Sequence, residues 1–364
     1  MKIAQIVCAY PPYQGGIGNS AKKFKDILEN SHEIKTFTPQ YNKKQKREEE
    51  GLIRLKPLIK YGNAAILPQF FYLLKKYDYI LLHYPLFGTD LVVWLYKIFF
   101  GKNKKLIIHY HMDSKLNFWS KLASLPSLII RKSLFKKAEK ITCFSLDYIK
   151  NSQIEKFYKK NESKFIEVPY GIDIKKFHPS EKKIEEKTMK IIFVGGLDRA
   201  HNFKGLHILI EALRLSEEKI KLNIVGEGSR KEYFKKLVET KNIKDKVFFL
   251  NSIKNSELSN VYRKNEILVL PSTNKNEALG IVLLEAMASG LGVIASNLAG
   301  VRSVFNNQEE GLLIEPNNPK DLKEKLDYLA KNSKLRKTMG QRGRKRIKEK
   351  YSLGKMSEKL NSIF

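Results

Sequence analysis

The chain has 364 residues, enough for two ordinary domains, and 42% of them are apolar, which excludes intrinsic disorder. Sixty-eight lysines and arginines against 38 acids leave a formal charge of +30, a field that attracts polyanions, phosphorylated small molecules or an anionic bilayer. Cys8 and Cys143, far apart in apolar runs, exclude a disulfide scaffold and a Cys-rich metal site, and the longest candidate span, Tyr84–Phe100, is broken by Asp90 and Lys97.

The opening MKIAQIVCAYPP reads as a first strand rather than a cleaved signal, so the expected location is the cytoplasm. From there short β-rich runs alternate with helical stretches, the mark of parallel α/β sheets. The first half offers strands over Lys2–Val7, Glu33–Thr38, Tyr79–His83, Lys105–His109, Lys140–Phe144 and Lys164–Val168. Amphipathic helices fall between them at Ser20–Glu29, Asp90–Phe100 and Phe118–Lys137. The second half repeats the style with strands over Lys190–Val194, Lys221–Val225, Val247–Leu250, Ile267–Leu270 and Gly292–Ala295. The charged stretch HPSEKKIEEKT, His178–Thr188, lacks apolar periodicity and reads as a linker; Asn42–Glu50 reads as a loop. The expected domains are therefore 1–178 and 188–351, with a terminal helix over about 352–364 returning to the first.

In doubly wound sheets, ligands bind where strands end, beside helix N-termini, so the loops after strands are the places to search. The loop AYPPYQGGIGNS carries Gly15 and Gly16 before a helix, which suits close approach of a phosphate or sugar; a simple turn is the alternative. In IIHYHMD, His109 ends a strand and His111 and Asp113 lie beyond it; metal ligation is a rival reading, but no further cluster with ligand spacing completes such a site. FVGGLDRAHNFKG places Gly195 and Gly196 at a strand end, then Arg199 and Lys204, cations suited to a diphosphate leaving group. VGEGS adds Gly226 and Glu227 in another Gly-rich turn. VLPSTNKNEALGIVLLEAMASG supplies Glu277 in a loop, backbone N–H groups around Gly280, Ile281 and Val282, and Glu285 within an otherwise apolar helix. A carboxylate buried there needs donors, and sugar diols are such donors; an exposed glutamate on the helix's outer stripe is the alternative.

Taken in order, PPYQGGIGNSAKKF, HYHMD, VPYGIDIKKFHP, FVGGLD…FKG, IVGEG, LPS (Leu270–Ser272) followed by the E-x7-E pair Glu277…Glu285 with EAMASG, and GLLIEP resemble the retaining glycosyltransferases of family 4, the "group 1" branch. The resemblance runs through nearly the whole chain. It implies the GT-B architecture: two Rossmann-like, doubly wound parallel-sheet domains facing across a cleft, the first binding acceptor and the second binding donor. It further implies that Glu277 contacts the donor sugar and Glu285 the ribose. Lys204 would hold the diphosphate, His111 would lie near the donor sugar, and Gly15 and Gly16 would lie by the phosphates and acceptor. Two positions depart from the pattern: Gly196 stands where the family carries arginine, leaving Arg199 as the substitute, and Leu279 stands where it carries phenylalanine.

The expected reaction is transfer of a sugar from a UDP- or GDP-linked donor to a hydroxyl on a glycan or lipid-linked acceptor in cell-envelope assembly, with retention and without a metal or other cofactor. A sugar-nucleotide epimerase or hydrolase on the same fold is the alternative. Nucleic acid is not an expected partner, since the basic residues are not interleaved with an aromatic platform. Eleven basic residues against two acids between Lys97 and Lys140, beside Trp and Phe, suggest a peripheral face for an anionic membrane on its inner side; ordinary core with solvated lysines is the alternative.

Overall fold

The computed structural model describes all residues except 13–14, 43–47, 50, 115–123, 181–187, 251–252 and 254–256. Most of the expected linker, most of the loop Asn42–Glu50 and residues 118–123 of the expected helix Phe118–Lys137 thus lie outside the described residues. The chain forms two compact units, Met1–Val168 with Ser357–Phe364, and Pro169–Met356.

In the first unit the strands are β1 (Lys2–Ile6), β2 (Glu33–Pro39), β3 (Glu48–Glu49), β4 (Leu52–Leu55), β5 (Ile59–Tyr61), β6 (Ala64–Ile66), β7 (Tyr79–Tyr84), β8 (Lys105–Tyr110), β9 (Lys140–Cys143) and β10 (Phe165–Glu167). Eight form one sheet in the order β10-β9-β8-β7-β1-β2-β4-β3, parallel except for the short edge pair β3–β4; β5 and β6 make a separate hairpin. Every residue of β7 is buried, which is why YILLHY reads as a continuous apolar run: helices cover both faces of a parallel sheet. Helix α1 (Gly16–Leu28) buries Ser20, Ala21, Phe24, Ile27 and Leu28, a stripe at helical spacing. Helix α2 (Thr89–Phe99) packs against α3 (Leu125–Lys137), which opens with Pro126 in its first turn, where the missing N–H is harmless. The chain leaves β1 towards β2 and returns on the other side at β7, so the order reverses beside β1.

The second unit holds β11 (Met189–Val194), β12 (Ile220–Val225), β13 (Val247–Leu250), β14 (Ile267–Leu270), β15 (Gly292–Ser296) and β16 (Gly311–Ile314), all parallel, in the order β13-β12-β11-β14-β15-β16. Its core gathers Ile191, Phe193, Leu209, Leu213, Ile224 and Val269 beneath flanking helices. Here the reversal lies between β11 and β14, which pair through Ile191–Ile267. The last helix, Leu353–Asn361, begins in the second unit, where Met356 lies against Gly171; residues 357–364 belong to the first, where the Phe364 ring stands 5.3 Å from Tyr79 and 6.0 Å from His32.

Candidate functional site

The second unit brings its candidate residues together at the reversal point. The loop after β11 tightens into a 3-10 turn, Arg199–Lys204, and the loop after β14 runs from Pro271 to Gly280. Because β11 and β14 are neighbours, the two loops meet: the Thr273 N–H donates to the Phe203 carbonyl at 2.7 Å. The consequence is an ion pair across 73 residues of sequence. Lys204 Nζ donates to Glu277 Oε2 at 2.7 Å, with both side chains largely buried, and Ser272 Oγ donates to the same oxygen at 3.3 Å.

Glycines set this contact. Gly205 closes the 3-10 turn at φ 75°, and a Cβ there would fall 1.9 Å from the Pro271 carbonyl oxygen. A Cβ on Gly195 would fall 2.5 Å from Lys204 Cδ, so the lysine stem lies where a side chain would stand. Gly205→Ala combines left-handed backbone strain with a backbone collision, and we expect it to destabilise the second unit by about 3 kcal/mol or more, read by urea unfolding. An unchanged unfolding midpoint would show that the two loops are not held together this way.

The turn after β12 closes over the same edge. Leu197 N–H donates to the Glu227 carbonyl at 2.8 Å, and a Cβ on Gly226 would meet the Gly195 carbonyl oxygen at 1.9 Å. Glu227's own carboxylate pairs with Lys231 at 2.8 Å. Gly280 caps helix α4 (Ile281–Ala288) at φ 79° with no side-chain cap, so the first-turn N–H groups around Ile281 and Val282 belong to the backbone alone. Glu285, half-buried in α4, accepts a hydrogen bond at 2.9 Å from the hydroxyl of Tyr262, a fully buried tyrosine. Burial and the neighbouring carboxylate push that phenol well above its ordinary pKa, so it stays a donor. Arg199 is exposed at the start of the 3-10 turn. At Gly196 a Cβ would fall 2.5 Å from His201 Nδ1, and His201 is itself tied to Asp198 at 2.9 Å; an imidazole thus fills the place of a side chain at 196.

In the first unit the polar feature is a trio of histidines. His83 and His109 stand opposite each other on β7 and β8, and His111 follows β8. His83 Nδ1 lies 2.8 Å from His111 Nε2, His109 Nδ1 lies 2.8 Å from Thr142 Oγ1, and the imidazole centroids are 4.5–5.7 Å apart. Burial drives all three pKa values down, His111 to about 3, so the cluster is neutral at ordinary pH. Asp113 accepts from the Tyr110 hydroxyl at 2.6 Å and from Gln153 N–H at 3.1 Å, which anchors the segment after β8. Gly15 caps α1 with extended backbone, and Gly16 opens it. Among the described residues, no group of three or more His, Cys, Asp or Glu has the geometry to hold a metal ion, and no helix is long and apolar enough to cross a membrane. Among the residues in these contacts, His83, Tyr262 and His201 carry no mark in the motif pattern, whereas Ser272 is the serine of LPS.

Two parallel-sheet α/β domains, each with its polar residues at the carboxyl ends of the strands, define the GT-B class of fold. Residues 174–346 match the sequence model of the family "Glycosyl transferases group 1". An uncharacterized glycosyltransferase of Methanocaldococcus jannaschii is 27% identical, over 98% of this chain and 96% of its own. The capsular polysaccharide biosynthesis glycosyltransferase CapM of Staphylococcus aureus is 29% identical over 53% of this chain and 52% of its own. Sucrose-phosphate synthase from Thermosynechococcus elongatus shares the fold with a TM-score of 0.80 at 21% identity, over 100% of this chain and 98% of that one. These likenesses support a GT-B glycosyltransferase.

Proposed function

We propose that the chain is a retaining glycosyltransferase that moves a sugar from a UDP- or GDP-linked donor to a hydroxyl of a glycan or lipid-linked acceptor in cell-envelope assembly. The observation that carries this reading is the Lys204–Glu277 pair at the reversal point of the second sheet, where doubly wound folds take nucleotides. Breaking the anomeric bond builds negative charge on the leaving diphosphate. An ammonium has three N–H donors, so Lys204 can give one to Glu277 and direct the others to diphosphate oxygens, and the start of α4 adds its dipole. These groups supply the charge stabilisation for which a metal would otherwise be needed. Glu277, an acceptor held in place by Lys204 and Ser272, would take hydrogen bonds from donor-sugar hydroxyls. Glu285, already oriented by Tyr262, would take the ribose diol. The neutral His111 would act as a hydrogen-bonding group beside the sugar, oriented by His83, rather than as a cation. The CapM likeness favours an envelope-polysaccharide acceptor.

Product analysis tests the reaction class. A transferase consumes donor rapidly only with acceptor and yields a glycoside of the donor's anomeric configuration. An epimerase or hydrolase turns donor over at the same rate without acceptor, an outcome that would replace this reading. Glu285→Ala should weaken nucleotide binding about tenfold or more, and Tyr262→Phe by a few-fold, as read by titration calorimetry. Equal affinity in Glu285→Ala would remove the ribose assignment.

A further inference from the structure

We propose that the first unit docks on an anionic bilayer through a face built by the β5–β6 hairpin, the segment Phe70–Lys76, and helices α2 and α3. The first observation is an inverted helix. In α2 every residue that is not buried is apolar (Leu91, Trp94, Leu95, Ile98 and Phe99), while Asp90 and Lys97 are buried. A surface helix of a water-soluble domain ordinarily shows the opposite arrangement.

The second observation is where exposed apolar side chains gather. Of the twelve large hydrophobic residues exposed among the described residues, eight lie on this face, with Leu58, Phe99 and Ile129 each about 70% exposed. The elements are contiguous: α2 packs against β6, against Phe70–Leu73 and against α3, and the Phe71 and Phe100 rings stand 6.1 Å apart.

Charge identifies the occupant. Between Gly51 and Lys137 the sequence holds fifteen lysines and arginines, of which Arg54 and Lys97 are buried, against three acids. Two of the three acids are withdrawn: Asp90 is buried and accepts from Ser127 Oγ at 2.6 Å, and Asp113 is held by Tyr110 and Gln153. On α3 the exposed positions Leu125, Ile129, Lys132 and Lys136 share one side at helical spacing, apolar at one end and cationic at the other. Lys75 Nζ lies 5.8 Å above the Phe100 ring, and Lys60 adjoins Ile59 and Tyr61 on the hairpin. Apolar tips with lysines among them match the interface of a bilayer carrying anionic headgroups, where aliphatic and aromatic side chains enter the acyl boundary and each lysine gains from the surface potential. The proposal does not depend on the transferase reading, because it concerns a surface of the first unit alone.

Flotation of the full chain with vesicles tests it. The protein should float with phosphatidylcholine containing about 30% phosphatidylglycerol, remain at the bottom with phosphatidylcholine alone, and lose most binding between about 0.1 M and about 1 M salt. Phe99→Ser with Ile129→Ser, and separately Lys132→Glu with Lys136→Glu, should each lower partitioning about tenfold or more. Far-UV circular dichroism and the urea-unfolding midpoint of the same variants should match the parent, which reports that the first unit is folded. No flotation with the anionic vesicles, or equal salt-resistant flotation with both compositions, would overturn the proposal. So would a salt-stable dimer that Phe99→Ser with Ile129→Ser dissolves without any vesicle binding, since the face would then belong to a second copy.

Discussion

On the proposed reading, Lys204→Ala should lower kcat/KM for sugar transfer about a hundredfold to a thousandfold, the range expected when one pre-positioned group is removed from a developing oxyanion. The loss falls mainly on kcat, because charge on the diphosphate grows as the anomeric bond breaks. Glu277→Ala should produce a loss of the same order, through the sugar hydroxyls that the proposal assigns to it and through release of Lys204 from its 2.7 Å contact. The two groups act as a unit, so the double variant should be little worse than either single one. Stability separates this from simple unfolding. Lys204→Ala leaves the buried Glu277 carboxylate with the Ser272 hydroxyl, a longer contact at 3.3 Å, and should cost about 1–3 kcal/mol. Lys204→Arg keeps the charge but not the shape, and should recover stability better than rate. Steady-state kinetics with purified donor and acceptor read the effect; wild-type rate in either alanine variant would remove the pair from the mechanism.

The second large effect is acid destabilisation of the first unit. His83, His109 and His111 are buried and neutral, with pKa values depressed below the ordinary 6.5, His111 to about 3. Unfolding releases them to take up protons, so the unfolded chain binds more protons between about pH 3 and 6.5, and stability falls as pH drops through that window. Asp90 works in the opposite sense: burial lifts its carboxyl to about 7, so the folded state holds a proton there that the unfolded chain gives up above pH 3.8. Three histidines against one aspartate leave about two net protons near pH 5, or about 3 kcal/mol per pH unit. Trp94 lies on α2 in the first unit, so its indole fluorescence reports this unit. Urea unfolding followed at pH 7, 6 and 5 should show little change at first and then a fall that steepens towards that slope near pH 5, and His83→Asn should remove about one proton's worth of it. A pH-independent midpoint would contradict the neutral cluster.

Much of this was legible in the residues because parallel strands buried on both faces leave uninterrupted apolar runs. Ile267–Leu270, buried at every position, is read to the residue for that reason; Val247–Leu250 is also read to the residue, as an apolar run on the edge of its sheet with Phe248 exposed. The strand Leu52–Leu55 is half-buried in alternation beside the antiparallel edge, and the hairpin Ile59–Ile66 exposes Ile59, Lys60 and Tyr61, so neither leaves such a run. Lys204 and Glu277 could be named from motif spacing, but their contact depends on β11 lying next to β14, a pairing fixed only by the fold. His83 escaped because it is one polar residue inside YILLHY; its importance appears once β7 and β8 are aligned and it stands opposite His109. Tyr262 escaped for a related reason: a buried tyrosine on a short helix has no local pattern, and its partner Glu285 is 23 residues away.

The most direct test of the donor grip is a calorimetric titration of UDP-, GDP- and ADP-sugars, each with its nucleoside monophosphate, into the wild-type chain and Lys204→Ala. The account predicts that at least one diphosphate sugar binds, that Lys204→Ala weakens it about tenfold or more, and that affinity for the matching monophosphate changes little. It is contradicted if no sugar nucleotide binds the wild-type chain, or if the lysine variant binds diphosphate sugar as tightly as the parent.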